Sequence, residues 1–347
     1  MRLLIAGGGT GGHLYPALAV ARAFRDEEPD GEVLLVGRRG GPEEKLVPAA
    51  GFPLETVHVR GLDRDAVWKN VALPVLVPLA LQEGLRIVDR FRPDVVLGMG
   101  GYVMAPAVAA ARLRHIPYVL HEKDVRPGLA TRWFAPNAVA VCTTLPGTEQ
   151  RLPNKHVVLT GVPLRDGFLP RTPDVPPRRL LITGGSQGAR HLNEAVWSVL
   201  DELCDRFQMV VHVAGPQGAR GIAEYTRDRY TGIPFVDDMS ALMRDADLVV
   251  GRAGVGTIAE SCAVGLPMVL VPGTFGGGHQ EENAAAMVAA GAAVSIPDDD
   301  LTGRRLVDTI ASLDDAKLRA MASASASAGR PDAAQRVLAV LRKAAGK

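Results

Sequence analysis

The sequence predicts an α/β protein made of two successive parallel-sheet halves, and three observations lead there. Its 347 residues exceed what one compact core usually holds, which favours two domains. Short apolar runs alternate with longer amphipathic segments nearly throughout, the pattern of βαβ units. A stretch rich in proline and arginine over 161–179, GVPLRDGFLPRTPDVPPRR, interrupts the alternation as a linker would, after which it begins again.

In the first half, strands are expected at 3–6, 33–36, 95–97, 118–120, 139–141 and 157–160, mostly runs of Val, Leu, Ile and Ala. In the second half they are expected at 180–183, 209–213, 234–236, 248–250, 268–271 and 293–296. The tail 332–347 carries Val337, Leu338, Val340 and Leu341 at a spacing that predicts a closing amphipathic helix.

Composition narrows the function. Hydrophobic content of 47% with 22% charged residues is that of a folding chain, not of a disordered tail or a disulfide miniprotein. A net charge of +1 leaves no cationic surplus for a nucleic-acid backbone, so no nucleic-acid partner is expected. Cys142, Cys204 and Cys262 form no CxxC or Cys/His cluster, which argues against a zinc site and a disulfide framework and for a reducing compartment. The apolar run in MRLLIAGGG is too short for a signal peptide. The uncharged stretch 71–81 contains Pro74 and Pro78 and is well short of the roughly 20 residues of a membrane span. No transmembrane segment is expected.

Chemistry concentrates in glycine-rich turns at strand ends. The first strand runs into GGGTGGHLYPALAVA, where Gly7, Gly9 and Gly12 satisfy G-x-G-x-x-G before a helix. A dinucleotide site would place an acid at the end of the second strand, but that strand ends Val36-Gly37-Arg38-Arg39, which disfavours NAD and leaves NADP as an alternative. The second half opens the same way with GGSQGAR, and GRAGVGTIAE follows the strand at 248–250, with Thr257 for a phosphate and Glu260 one turn inward. Tight helix-sheet packing also demands glycine. Three such turns at carboxyl strand ends nevertheless point to a nucleotide diphosphate held in a cleft between two Rossmann-like halves.

The segments GGGTGGHLYPALA, GMGGYVMAPA, LHEKDVRPG, GGSQGAR, GRAGVGTIAE and PGTFGGGHQEENA, in this order and spacing, resemble the MurG family over nearly the whole chain. These transferases add N-acetylglucosamine to undecaprenyl-pyrophosphoryl-MurNAc-pentapeptide, lipid I, to make lipid II. The resemblance implies a GT-B fold, UDP-N-acetylglucosamine as donor, inversion at the anomeric carbon, no cofactor and no metal. It also implies peripheral work in peptidoglycan synthesis at an anionic membrane surface, on the cytoplasmic face. The expected domains are 1–163 with the helix 332–347, facing acceptor and membrane, and 164–331, binding the UDP-sugar.

Carried over by motif, Glu260 is expected on the donor ribose, whose diol a carboxylate can accept from twice. Ser186 and Thr257 are expected at the diphosphate, Gln280 and Asn283 at the donor sugar, and Arg252 near the leaving group, with Gln187, Gly254, Val255 and Gly256 as further substrate-binding residues. The backbone around Val236 would meet uracil. His13, Tyr102, His121 and Asp124 are expected to line the acceptor side, with Arg165 at the domain junction and Thr10, Gly11 and Gly12 also binding substrate. The chain departs from the family at Lys123-Asp124, where Gln-Asn is usual, and at Val162, where Asn is usual.

Inverting transfer needs a base for the acceptor hydroxyl and positive or dipolar groups for departing UDP. His13 is expected to be that base or to position it, with Asp124 as the alternative; a helix-start histidine bonded to backbone is the plain reading. His121 could equally be a buried loop histidine, Tyr102 packing, Glu260 a solvated carboxylate, and Arg252 a partner of Asp247. Three D-x-D triplets, beginning at Asp63, Asp245 and Asp298, are read as surface or cap residues rather than a metal clamp. Val75, Leu76, Leu79 and Leu81, followed by Arg86, Arg90 and Arg92, form a candidate interfacial patch or an ordinary core helix. Competing functions are another nucleotide-sugar transferase or epimerase, an NADP-dependent oxidoreductase, and a sugar-nucleotide sensor without turnover.

Overall fold

Val95–Gly98 reads VVLG and is buried at every position, because strands of a parallel sheet carry helices on both faces and must be apolar on both. The computed structural model describes residues 1–61, 71, 73–154, 156–185, 187–274 and 278–347. The chain divides into two compact units, Met1–Arg165 with Asp332–Lys347, and Asp166–Pro331.

In the first unit β1 (Arg2–Ala6), β2 (Glu32–Arg38), β3 (Leu54–Val57), β4 (Val95–Gly98), β5 (Tyr118–Glu122), β6 (Ala140–Thr143) and β7 (Val157–Leu159) form one sheet in the order β3-β2-β1-β4-β5-β6-β7. Every pairing is parallel, with Ile5 between Leu35 and Leu97. Side chains alternate across the sheet: Leu3 and Ile5 pack with Leu14, Phe24, Val337, Leu338 and Leu341, while Leu4 and Ala6 pack with Ile87, Met104 and Val108. The closing helix Ala333–Ala344 therefore belongs to the first unit's core. Arg342 adds ion pairs to Glu27 at 2.8 Å and Glu28 at 2.9 Å, but burial of the leucines, about 1.5–3 kcal/mol for each side chain, is the larger contribution.

The second unit repeats the plan with β8 (Arg179–Thr183), β9 (Met209–Val213), β10 (Tyr230–Ile233), β11 (Leu248–Gly251), β12 (Met268–Leu270) and β13 (Ala293–Ser295) in the parallel order β10-β9-β8-β11-β12-β13. In each sheet the direction of winding reverses beside the first strand, between β1 and β4 and between β8 and β11. Ligands of open α/β sheets bind outside the carboxyl ends of the strands at such a reversal. Two strands differ from expectation: β3 was not anticipated, and β10 lies at Tyr230–Ile233 instead of 234–236.

Candidate active site

The glycine turn after β1 mixes two kinds of glycine. A Cβ on Gly7 would come within 2.6 Å of Met99 Cβ, and Gly9 has φ +80°, so packing and backbone conformation fix these positions. Helix Gly11–Glu27 then begins at Thr10 with no side-chain cap and no acid in its first turn. Three helices of the second unit are capped by a side chain, Asp238, Thr302 and Asp314 accepting from the amides of Ser240, Arg305 and Lys317. An uncapped positive helix end beside a sheet reversal is suited to an anion.

A carboxylate already occupies part of this turn. Fully buried Glu43 accepts from the Gly9 N–H, and Gly8, Gly37 and Gly41 all leave room for its side chain. At the end of β2, Arg38 Nη1 donates to Tyr102 Oη at 3.4 Å, and Tyr102 Oη would lie 3.3 Å from a Cβ on Gly9. A dinucleotide would meet the Glu43 carboxyl at the Gly9 amide and find Arg38 engaged with tyrosine, which weighs against NADP as well as NAD.

His13, on the first turn of the same helix, faces the turn after β4. Its Nδ1–H donates to the Met99 carbonyl at 2.8 Å; the carbonyl can only accept, so Nε2 carries the lone pair. A Cβ on Gly101 would lie 3.3 Å from that Nε2, and glycine there keeps the nitrogen uncrowded. Burial, reinforced by the positive charge of Lys123, lowers the His13 pKa from 6.5 to about 4, against the opposing Met99 bond and Asp124. The plain reading, a helix-start histidine bonded to backbone, is what the structure has, and that bond leaves Nε2 as the ring's accepting nitrogen.

The loop after β5 supplies those charges. Lys123 Nζ would be 3.0 Å from a Cβ on Gly12 and lies 3.8 Å from Asp124 Oδ2. Beneath them, Glu122 accepts from the amides of Asp124 at 3.2 Å and Gly128 at 3.0 Å, and burial raises its pKa. His121, 1% exposed, donates from Nε2 to the Gly161 carbonyl at 3.0 Å. Its side chain is an internal brace in this structure, not a surface group. Val162 is likewise buried. Arg165 stacks over the Tyr15 ring at 4.8 Å, a placement that puts it in the first unit rather than in 164–331.

In the second unit the turn after β8 is tightly packed. A Cβ on Gly188 would meet the Ala214 carbonyl oxygen at 2.5 Å, so this glycine serves helix-sheet packing; Gln187 beside it is exposed. Ser186 lies outside the described residues. The turn after β11 is different. Helix Val255–Val264 starts at Gly254 with no side-chain cap and no first-turn acid, and a Cβ on Gly254 or Gly256 would meet nothing within 4 Å. Thr257 and Glu260 are half-buried on this helix.

Arg252 does not pair with Asp247. Asp247 instead accepts from the Arg171 side chain and from the amides of Asp174, Arg178 and Arg179, fastening the linker to β11. Arg252 pairs with Asp298. Asp247 and Asp298 are thus not the surface or cap residues expected of their D-x-D triplets, whereas Asp245 is exposed; Asp63 and Asp65 lie outside the described residues. Among the described residues no cluster of three or more His, Cys, Asp or Glu could hold a metal.

Gln280 Oε1 accepts from the Gly273 N–H at 2.8 Å. Asn283, fully buried, donates to the Ala253 carbonyl at 3.3 Å and so supports the turn carrying Gly254 from behind. Val236 lies half-buried in the loop after β10. Sequence reasoning did not find Glu43 or the Met99 carbonyl, it took Asp298 for a surface or cap residue, and it recorded Lys123 only as a departure. The glycines at 8, 37 and 41 were the one local trace of Glu43.

Comparison with known proteins gives the family. Residues 3–143 match the glycosyltransferase family 28 N-terminal domain and residues 179–337 the family 28 C-terminal domain. A UDP-N-acetylglucosamine--N-acetylmuramyl-(pentapeptide) pyrophosphoryl-undecaprenol N-acetylglucosamine transferase from Moorella thermoacetica is 41% identical, covering 99% of both chains. The enzyme of the same name from Desulforudis audaxviator is 38% identical over 100% of this chain and 99% of its own. The crystal structure of Acinetobacter baumannii MurG superposes with a TM-score of 0.83 at 28% identity, covering 99% of each chain. The chain belongs to the MurG family of glycosyltransferases and has its GT-B fold.

Proposed function

We propose that the chain transfers N-acetylglucosamine from UDP-N-acetylglucosamine to the MurNAc 4-hydroxyl of lipid I, with inversion, to give lipid II. The observation that carries this reading is the open space around Gly254 and Gly256. Glycine at Gly254, the N-cap, is ordinary, but at Gly256, inside the first turn, it costs up to about 1 kcal/mol relative to alanine, and no neighbouring atom requires it there. Close approach of a ligand's phosphates to the uncapped amides accounts for it.

In this reading the second unit holds the donor. The diphosphate lies at the amides of Gly254, Val255 and Gly256 with Thr257, Ser186 and Gln187; the ribose meets Glu260, the uracil the backbone at Val236, and the sugar Gln280. Asn283 acts through the turn it supports. Arg252 stabilises the charge that grows on departing UDP. The first unit takes the acceptor, with Thr10, Gly11 and Gly12 at its pyrophosphate and Tyr102, Asp124 and Arg165 around it, while His121 braces the loop. His13 Nε2 accepts the proton of the attacking hydroxyl as its oxygen bonds to the anomeric carbon and the bond to UDP breaks. No covalent enzyme intermediate is needed for a single inverting displacement.

A lipid-linked acceptor places the enzyme at the cytoplasmic face of the membrane as a peripheral protein. No helix among the described residues is long and apolar enough to cross a membrane, and the exposed Val75, Val77 and Leu79 offer an interfacial contact. The deciding assay measures UDP release from UDP-N-acetylglucosamine with and without a lipid I analogue. Acceptor-dependent release with a disaccharide product supports transfer; binding without release would make the chain a sensor, and release without acceptor would point to an epimerase or hydrolase.

A further inference from the structure

Asp298 opens the triplet Asp298–Asp300 in a single helical turn after β13. Asp299 and Asp300 are exposed, but the Asp298 side chain is only 13% exposed. Its Oδ1 accepts from Arg252 Nη1 at 2.5 Å, and the same Nη1 donates to the Val271 carbonyl at 3.2 Å. His191 Nδ1, on the helix after β8, lies 3.4 Å from that carboxylate oxygen. The helix after β8 and the loop after β11 therefore both bring a side chain to one carboxylate in the turn after β13.

We propose that Asp298 is the positioning residue for Arg252 in glycosyl transfer, an inference that rests on Arg252 being the leaving-group cation of the reading above. Two features support it. Arg252 is almost fully buried, and a buried guanidinium needs a counter-charge before the donor arrives. Arginine is also a long side chain whose fork must be held to act at the moment charge develops. The carboxylate and the carbonyl use both protons of Nη1, so Asp298 grips one corner of the guanidinium and leaves the protons of Nε and Nη2 uncommitted to either acceptor. An acid placed this way aims the cation as well as balancing its charge.

The test is a double-mutant cycle on the full-length chain: unsubstituted, Asp298→Ala, Arg252→Ala and the double variant, with kcat and KM measured for donor and acceptor. Asp298→Ala is expected to lower kcat by about tenfold to a hundredfold with the acceptor KM unchanged. In the Arg252→Ala background the same substitution is expected to cost nothing further. Asp298→Asn, which keeps an accepting oxygen of the same shape, should recover part of the loss and serves for the cycle if the alanine variant does not fold. Equal losses in both backgrounds, or unchanged kcat in Asp298→Ala and Asp298→Asn, would overturn the proposal while leaving transferase function intact. Absence of acceptor-dependent UDP release from the unsubstituted chain would overturn the functional reading itself, and this role with it.

Discussion

His13 Nδ1 and the main-chain oxygen of Met99 stand 2.8 Å apart, a bond that commits the ring proton to Nδ1 and the lone pair to Nε2. With its pKa lowered to about 4, by burial first and Lys123 second, the ring is neutral and able to accept a proton at any pH well above 4. His13→Ala is expected to lower kcat by about 10²–10⁴-fold with the KM for UDP-N-acetylglucosamine little changed, since the proposed donor contacts lie in the other unit. Near-normal turnover in that variant would pass the role of base to Asp124.

Lys123 is the source of part of that pKa depression. The titratable and charged groups acting on His13 are Lys123 and His121, which lower its pKa, and Asp124, which raises it. Lys123→Gln, the residue usual in the family, removes a positive neighbour, so the imidazolium becomes easier to form. The acidic limb of the kcat/KM profile is then expected to move to higher pH, toward 6.5. A limb that stays in place would show that this charge does not reach the catalytic ring.

How much of this was legible in the sequence depends on whether a feature is local. Buried central strands announce themselves as apolar runs, and β1, β4, β8 and β11 fell where expected. The two strands that did not, β3 and β10, both lie at sheet edges, and each has only one fully buried residue. Leu54-Glu55-Thr56-Val57 and Tyr230-Thr231-Gly232-Ile233 carry too few apolar residues to stand out. The glycine-rich turns were visible because glycine spacing is local. The contacts of Glu43 with Gly9 and of Asp298 with Arg252 span 34 and 46 residues, and only the fold brings them together.

Acid should destabilise the folded chain through its buried histidines. His121 and His212 are both buried with pKa lowered to about 4, chiefly by desolvation. Above pH 6.5 they are neutral whether folded or not. Between 6.5 and about 4 the unfolded chain takes up protons that the folded chain refuses, so stability falls with pH by up to about 1.4 kcal/mol per unit for each group. Glu122, raised by burial, works in the opposite direction. His212 accepts from Tyr230 Oη at Nδ1 and donates to Asn193 Oδ1 from Nε2, each at 3.0 Å. His212→Gln should therefore lower Tm at pH 7.5 by disturbing that network, yet flatten the decline of Tm between pH 6.5 and 4.5. A variant whose Tm falls with pH as steeply as the parent's would refute the assignment.

The N-terminal half of helix Leu73–Phe91 turns apolar side chains outward, with Val75 72% and Val77 60% exposed, while Ala80, Ile87 and Val88 face the core. The two alternatives raised by the sequence thus divide along the helix: core packing in its second half, an unburied apolar surface in its first. Leu76 and Leu81 are half-buried, and Arg86, Arg90 and Arg92 are exposed, although Arg90 is partly neutralised by Glu55. Inserting exposed valines into the acyl boundary gains about 1 kcal/mol or more for each side chain, and the arginines add attraction to anionic headgroups. Val75→Asp with Val77→Asp is expected to weaken binding to vesicles containing anionic lipid by about tenfold or more. Tm and transfer to a water-soluble acceptor analogue should be unchanged, because neither residue supports the core or the glycine turns. Loss of turnover on the soluble acceptor as well would mean that this face serves the fold or the active site instead of the membrane.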